Sequence, residues 1–134
     1  MTRIMVDANV IISAFLYPIS IPGKVLKHII VNHTLILSDY TLTEINKTFF
    51  RKFPELLLDL QNYLDSLSPV TVSLKYIDEN KYPQISDPKD LPVLANAIES
   101  GVEILVTGDN DFNEIKINKP RILKPRQYYD EFIN

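Results

Sequence analysis

The stretch "ILVTGDNDF", residues 104–112, runs an apolar, strand-like sequence into Thr107 and Gly108 and then sets two carboxylates, Asp109 and Asp111, two positions apart. Acids directly after a buried strand have a natural place in one architecture. In an open parallel sheet, sites gather where the strands end at their carboxyl termini. The N-terminus repeats the arrangement, because "RIMV" (3–6) reads as a short buried strand that ends at Asp7. If these two strands are neighbours, Asp7 and Asp109 lie at the same sheet edge.

Working outward, strands alternate with helices. "ANVIISAFL" (8–16) is a short helix, and "PGKVLKHIIVN" (22–32) puts Val25, Leu26, Ile29 and Ile30 on one helical face, with Pro22 near its start. "TLIL" (34–37) is a second strand. Ser38 and Asp39 are N-cap candidates for "YTLTEINKTFFRKF" (40–53), whose apolar stripe is Leu42, Ile45, Phe49 and Phe53. Pro54 opens a further helix, and "PVTVSL" (69–74) alternates like a strand. The irregular segment 75–90 reads as a loop. "LPVLANAIES" is helical, starting around Asp90 because Pro92 lacks an N–H, and Gly101 is its C′ stop. "EILVT" is a strand, "DNDFNEI" a short helical turn, "RIL" a strand, and "PRQYYDEFI" a last helix opened by Pro125. This order predicts an α/β fold, a three-layer α/β/α arrangement with a mainly parallel central sheet. No repeat or linker interrupts it, so residues 1–134 are expected to form a single domain.

Composition agrees with a globular protein, 46% hydrophobic and 23% charged. No apolar run approaches the roughly 18 residues of a membrane span. Asp7 breaks any signal-peptide core, so a cytoplasmic location is the expectation. The chain has no cysteine and two histidines, which excludes disulfides and thiolate zinc sites. His28 and His33 need no functional role. The net charge of −3 argues mildly against a general nucleic-acid binder, yet clustered carboxylates bias that count where a bound cation reverses the local field.

Three or four carboxylates at one edge repel one another, by about 4 kcal/mol per pair at about 4 Å and an effective dielectric near 20. A cation between them relieves this, and all-oxygen ligation selects Mg²⁺ or Mn²⁺. Besides Asp7 and Asp109, Glu44 lies in the second turn of the helix leaving strand 2, and Asp90 starts the helix running back to "EILVT". Each acid also has a plainer reading. Asp90 and Asp109 suit local caps, Glu44 pairs with Lys47 at i,i+3, and Asp111 suits a solvated turn. Asp7 is the hardest to explain without a ligand.

"MVDANVIISAF", "LTEI", "DPKDLPVLANAIESG" and "ILVTGDNDF" occur in an order and spacing that resemble the PIN-domain nucleases, most of all small VapC-like toxins of type II toxin–antitoxin pairs. The resemblance covers nearly the whole chain. It implies a PIN-like fold in which Asp7, Glu44, Asp90 and Asp109 are the catalytic, metal-binding acids, with Asp111 a weaker fifth. It prefers Asp90 to Asp87. It also implies supporting roles for Asn9, two residues after the first acid, and for Thr107. The activity implied is cleavage of single-stranded RNA, or of structured RNA, by a water activated with Mg²⁺ or Mn²⁺. Lys47 and Arg51, on the helical face of Glu44, are RNA-backbone candidates. Arg121, Lys124 and Arg126 form a second basic group that reads as solvated. The implied partner is a small antitoxin, and a homodimer is in keeping with the family.

Two other readings follow from the same residues. One is a PIN-fold RNA-processing nuclease that is not a toxin. The other is a non-catalytic binding module, which an intact acidic quartet disfavours. A receiver-like signalling domain is disfavoured, since it needs paired acids after strand 1, where this chain has Ala8 and Asn9, and a phosphoacceptor Asp after a mid-chain strand, which "TVSLKY" lacks.

Overall fold

The first strand is buried on both faces. In the computed structural model, which describes residues 2–134, β1 (Arg3–Val6) sends Ile4 and Val6 into one apolar cluster and Met5 into another, all without exposed surface. That is the period-2 alternation of a strand covered by helices on both sides. β2 (Thr34–Ser38) and β4 (Ile104–Val106) flank it, and β3 (Val70–Val72) and β5 (Arg121–Leu123) form the edges. The sheet order is β3-β2-β1-β4-β5. All of these pairings are parallel, with Ile4 opposite both Leu35 and Ile104, and Val6 opposite Val106. The carboxyl ends of all five strands therefore share one edge.

The helices are α1 (Ala8–Leu16), α2 (Ile21–Asn32), α3 (Asp39–Lys52), α4 (Leu57–Ser66), α5 (Leu91–Glu99) and α6 (Pro125–Phe132). Val10, Leu26, Phe49, Leu60 and Tyr128, one from each helix except α5, fill the larger cluster. Val93, Leu94 and Ala97 of α5 join Phe112 in the smaller one on the opposite face. Each fully buried aliphatic or aromatic side chain is worth about 1.5–3 kcal/mol. No single described helix is long and apolar enough to cross a membrane, and α1 with α2 meets that criterion only as a pair bent by 105°.

The Ser38 cap and the Gly101 stop fall where the sequence places them. Ser38 Oγ accepts the Thr41 N–H at 3.0 Å and opens α3. At the end of α5, Gly101 N–H bonds Ile98 O at 3.2 Å and Val102 N–H bonds Ala97 O at 3.0 Å. This is a Schellman closure, and it requires the positive φ of 67° that Gly101 supplies. Two boundaries differ from expectation. The strand expected over 69–74 is hydrogen-bonded only over Val70–Val72, because its one neighbour, β2, ends at Ser38, opposite Val72. The 75–90 segment is a loop, as expected, but it contains two 3₁₀ turns, Glu79–Lys81 and Pro88–Asp90.

Gly23 allows the closest approach in the fold. A Cβ there would collide with the Pro18 carbonyl in the α1–α2 connection. Gly23→Ala is expected to lower stability by about 1–3 kcal/mol, seen as a lower urea midpoint with an unchanged m-value. An unchanged midpoint would mean that the α1–α2 connection yields without cost.

Candidate active site

The β1–β4 pairing continues one residue past both strands. Asp7 N–H donates to Val106 O at 3.0 Å, so Asp7 and Thr107 emerge side by side. Thr107 Oγ donates to Asp7 Oδ2 at 2.6 Å and accepts the Asp109 N–H at 3.1 Å. The other Asp7 oxygen accepts the Ala8 N–H at 2.5 Å. Asp7 is only 7% exposed, which is rare for a carboxylate lacking a cationic partner. Burial drives its pKa above the ordinary carboxylate range, against the lowering effect of Thr107 and the Ala8 N–H, with the Asp109 charge adding to the rise.

Glu44, half-buried on α3, is also pushed up, first by burial and then by the Asp7 charge. The expected Glu44–Lys47 ion pair is not formed among the described residues. Asp109 serves as a local cap, its Oδ1 accepting the Asp111 N–H at 2.9 Å ahead of the 3₁₀ turn Asn110–Phe112. Asp90 behaves differently from its plainer reading. It makes no side-chain cap bond to α5, and the capping bond here is made instead by Asp87, whose Oδ1 accepts the Lys89 N–H at 3.0 Å. Asp90 Oδ2 is buried and meets no hydrogen-bond donor among the described residues. Burial first, then the Asp109 charge and a side-chain hydrogen bond with Asp109, then the charges of Asp7 and Asp87, push its carboxyl up to about 8.

Asp7 thus lies within electrostatic reach of Glu44, Asp90 and Asp109, and Asp90 of Asp109, at the carboxyl edge of the sheet. Asp111 joins them on the outer side, where Asp87, Asp90 and Asp111 each offer an oxygen within 4.8 Å of the others. The sequence reading set Asp87 aside in favour of Asp90; in the fold both contribute to the acidic cluster. Tyr40 was not singled out at all. It packs on the smaller core cluster, and its hydroxyl is held protonated by burial and by the charges of Glu44, Asp90, Asp87 and Asp7. Its spacing of one helical turn from Glu44 is the signal that marks it. Asn9 is exposed in the first turn of α1, and Lys47 and Arg51 are exposed on α3 without an ion pair among the described residues.

A family model for the PIN domain matches residues 3–111, and the chain belongs to that family. The match spans every acid of the cluster. A chain in the crystal structure of VapBC2 from Rickettsia felis, bound to a DNA fragment from their promoter, superposes with a TM-score of 0.69. The two share 19% identity over 92% of this chain and 98% of that one, a likeness of fold. Comparison with curated proteins returns no match.

A raised carboxyl pKa has a definite consequence for stability. A native Asp90 that holds its proton to about pH 8, against 3.8 ordinarily, favours folding fully below pH 3.8, and that contribution is lost as pH rises through about 8. In EDTA, Asp90→Asn is therefore expected to melt higher than the wild type, by a margin that widens from pH 5 to pH 8. A margin independent of pH would show that Asp90 is not held among like charges.

Proposed function

We propose that the protein is a metal-dependent endoribonuclease that hydrolyses phosphodiesters of single-stranded RNA, and that it acts as the toxin of a toxin–antitoxin pair. The observation that carries the reading is Asp90 Oδ2, buried among carboxylates with no donor. Such an atom fits a cation, and the all-oxygen donor set fits a hard one, Mg²⁺ or Mn²⁺. Asp7, Asp90 and Asp109 would hold it, with Glu44 completing the set directly or through water and Asp111 adding a weaker contact. When bound, such an ion polarises the phosphoryl group and lowers the pKa of an attacking water.

The remaining work belongs to the chain. Thr107 and the Ala8 N–H fix both oxygens of Asp7, so its carboxylate is oriented before substrate arrives. Glu44, with its raised pKa, is suited to accept a proton from water at the open side of the cluster. Lys47 and Arg51 supply cationic contacts to the RNA backbone and orient it without reading sequence. Asn9, exposed at the start of α1, is available to solvent or substrate beside Asp7. No side-chain nucleophile is required. The toxin assignment is supported by the motif resemblance and by the fold shared with a chain of VapBC2. On this reading the partner is a small antitoxin that covers the acidic cleft.

Cleavage of an end-labelled single-stranded RNA tests the activity. Cutting is expected with Mn²⁺ or Mg²⁺, not with EDTA, and it should be lost in Asp7→Asn purified identically. Millimolar metal should also raise the melting temperature of the wild type and leave that of Asp7→Asn unchanged. Cutting that survives the substitution, or a wild-type melt indifferent to metal, would count against the proposal. A ranking completes the test: Asp90→Asn is expected to abolish cutting while preserving the fold, and Asp87→Asn to reduce it mildly. The reverse order would make Asp87 the ligand and Asp90 the accessory acid.

A further inference from the structure

A cavity of about 440 Å³ opens beside the acids, sharing Thr107 and Asp109 with them. Its size falls in the range of roughly 300–1,000 Å³ typical of ligand pockets. Phe112, Ile115, Ile117 and Ile122 form its apolar side, and polar groups make up most of its exposed lining. Its rim carries three polar side chains, Asn113, Lys124 and Gln127. Every one of these wall and rim residues lies beyond residue 111, outside the span matched by the family model.

The hydrogen bonds at the rim leave a defined set of free groups. Gln127 Oε1 accepts the Lys124 N–H at 2.8 Å at the start of α6, and its amide N–H groups make no hydrogen bond among the described residues. Lys124 Nζ donates to Asn110 Oδ1 at 2.9 Å. It has no carboxylate partner among the described residues, whereas Arg121 is paired with Glu131 and Arg126 with Asp130. Two further N–H groups of Lys124 remain available. Asn113 uses its amide nitrogen on Asn110 Oδ1 at 3.4 Å and retains its carbonyl oxygen. Thr107 Oγ donates its proton to Asp7 and accepts the Asp109 N–H, so it has no donor left for a ligand. The cavity therefore sets the donors of Lys124 and Gln127 and the acceptor of Asn113 beside an apolar side.

From these groups we infer that the cavity is a subsite for one unstacked RNA base beside the scissile phosphate, and that it selects a base whose carbonyl stands beside a ring N–H, guanine or uracil. Single-stranded RNA is read in this way, by bases splayed out of the strand and hydrogen-bonded along their edges. Guanine and uracil carry a carbonyl acceptor beside a ring N–H, matching the donors of Lys124 and Gln127 and the acceptor of Asn113. Adenine and cytosine carry an exocyclic amino group in that position and set donor against donor. The inference rests on the ribonuclease reading above.

Two substitutions test it without touching the acids. Gln127→Glu keeps the oxygen that caps α6 and replaces the donor with an acceptor. Ile117→Trp fills the slot from a residue that belongs to neither core cluster. A random-sequence single-stranded RNA is cut in Mn²⁺ and the ends are sequenced. The wild type is expected to prefer guanine or uracil at one position next to the cut. Gln127→Glu should reduce that preference about tenfold, the effect of one lost hydrogen bond, and Ile117→Trp should abolish it. Both variants should retain the metal-induced rise in melting temperature. A wild type that cuts without preference for these bases at any adjoining position, or variants that keep the preference, would overturn the subsite. If the wild type cuts no RNA, the ribonuclease reading is what fails. The subsite is then decided by titrating isoleucine-methyl-labelled protein with the four ribonucleoside monophosphates. Saturable shifts of Ile115, Ile117 and Ile122 with the guanosine and uridine nucleotides, absent in Ile117→Trp, sustain it; their absence overturns it.

Discussion

The acidic edge depends on the pairing of β1 with β4. Three parallel residue pairs, ending at Val6 and Val106, set the two strands in register, and the Asp7 N–H extends the ladder by one bond. Because the register is fixed, the next residue on each strand falls beside the other, and a 2.6 Å hydrogen bond joins Thr107 to Asp7. The same hydroxyl receives the Asp109 N–H. One threonine thereby links two acids that are about a hundred residues apart in sequence. A one-residue slip would turn Ile4 and Val6 out of the larger cluster and Met5 out of the smaller, so core packing and site geometry are specified by the same register.

Holding the acids together works against folding. Asp7, Glu44 and Asp90 all have raised pKa values, with burial the first cause in each case and like charge following. The hydrogen bonds given to Asp7 offset only part of this, and Asp90 receives no donor for Oδ2. Caps do not remove the conflict either. Asp87 and Asp109 each satisfy a neighbouring N–H, but both remain part of the cluster. The large apolar contribution from the two clusters is what allows such an edge to persist, and a cation would remove the conflict at its source.

Much of this was legible in the sequence, for physical reasons that differ by element. β1 and β4 are short apolar runs ended by an acid or a Thr-Gly pair, and α5 is bounded by Pro92 and Gly101, whose backbone restrictions act locally. The alternation of such elements was enough for a parallel three-layer fold. β3 was overextended because its alternation continues to Leu74 while its partner strand has already turned into α3, a fact of pairing and not of propensity. Within the site, Asp7 and Asp109 could be brought together from strand ends alone. Asp87 and Tyr40 could not. Asp87 looks like an ordinary turn acid and does cap a turn, while the same 3₁₀ turn carries it next to Asp90 and Asp111. Tyr40 follows a cap and reads as a core aromatic, which it also is. Both acquire their surroundings only when α3 and the 75–90 loop fold against the sheet edge.

The cavity was illegible for a further reason. Its lining comes from the 3₁₀ turn after β4, the loop that follows, β5 and the start of α6, and no periodicity links those positions. The basic group Arg121, Lys124 and Arg126 looked uniformly solvated, and two of its members are surface ion pairs, worth little individually. Only the third faces the cavity without an acid to neutralise it. The acids and the cavity meet at Thr107 and Asp109, so a group held in the slot is placed next to the cluster by two residues already fixed by backbone pairing. The rest of the slot is independent of that pairing. Ile117, Lys124 and Gln127 stand outside both core clusters, and changing them leaves the β1–β4 register in place. The shape of the slot can thus change along the C-terminal segment while the acids, bound to the core register, stay in place.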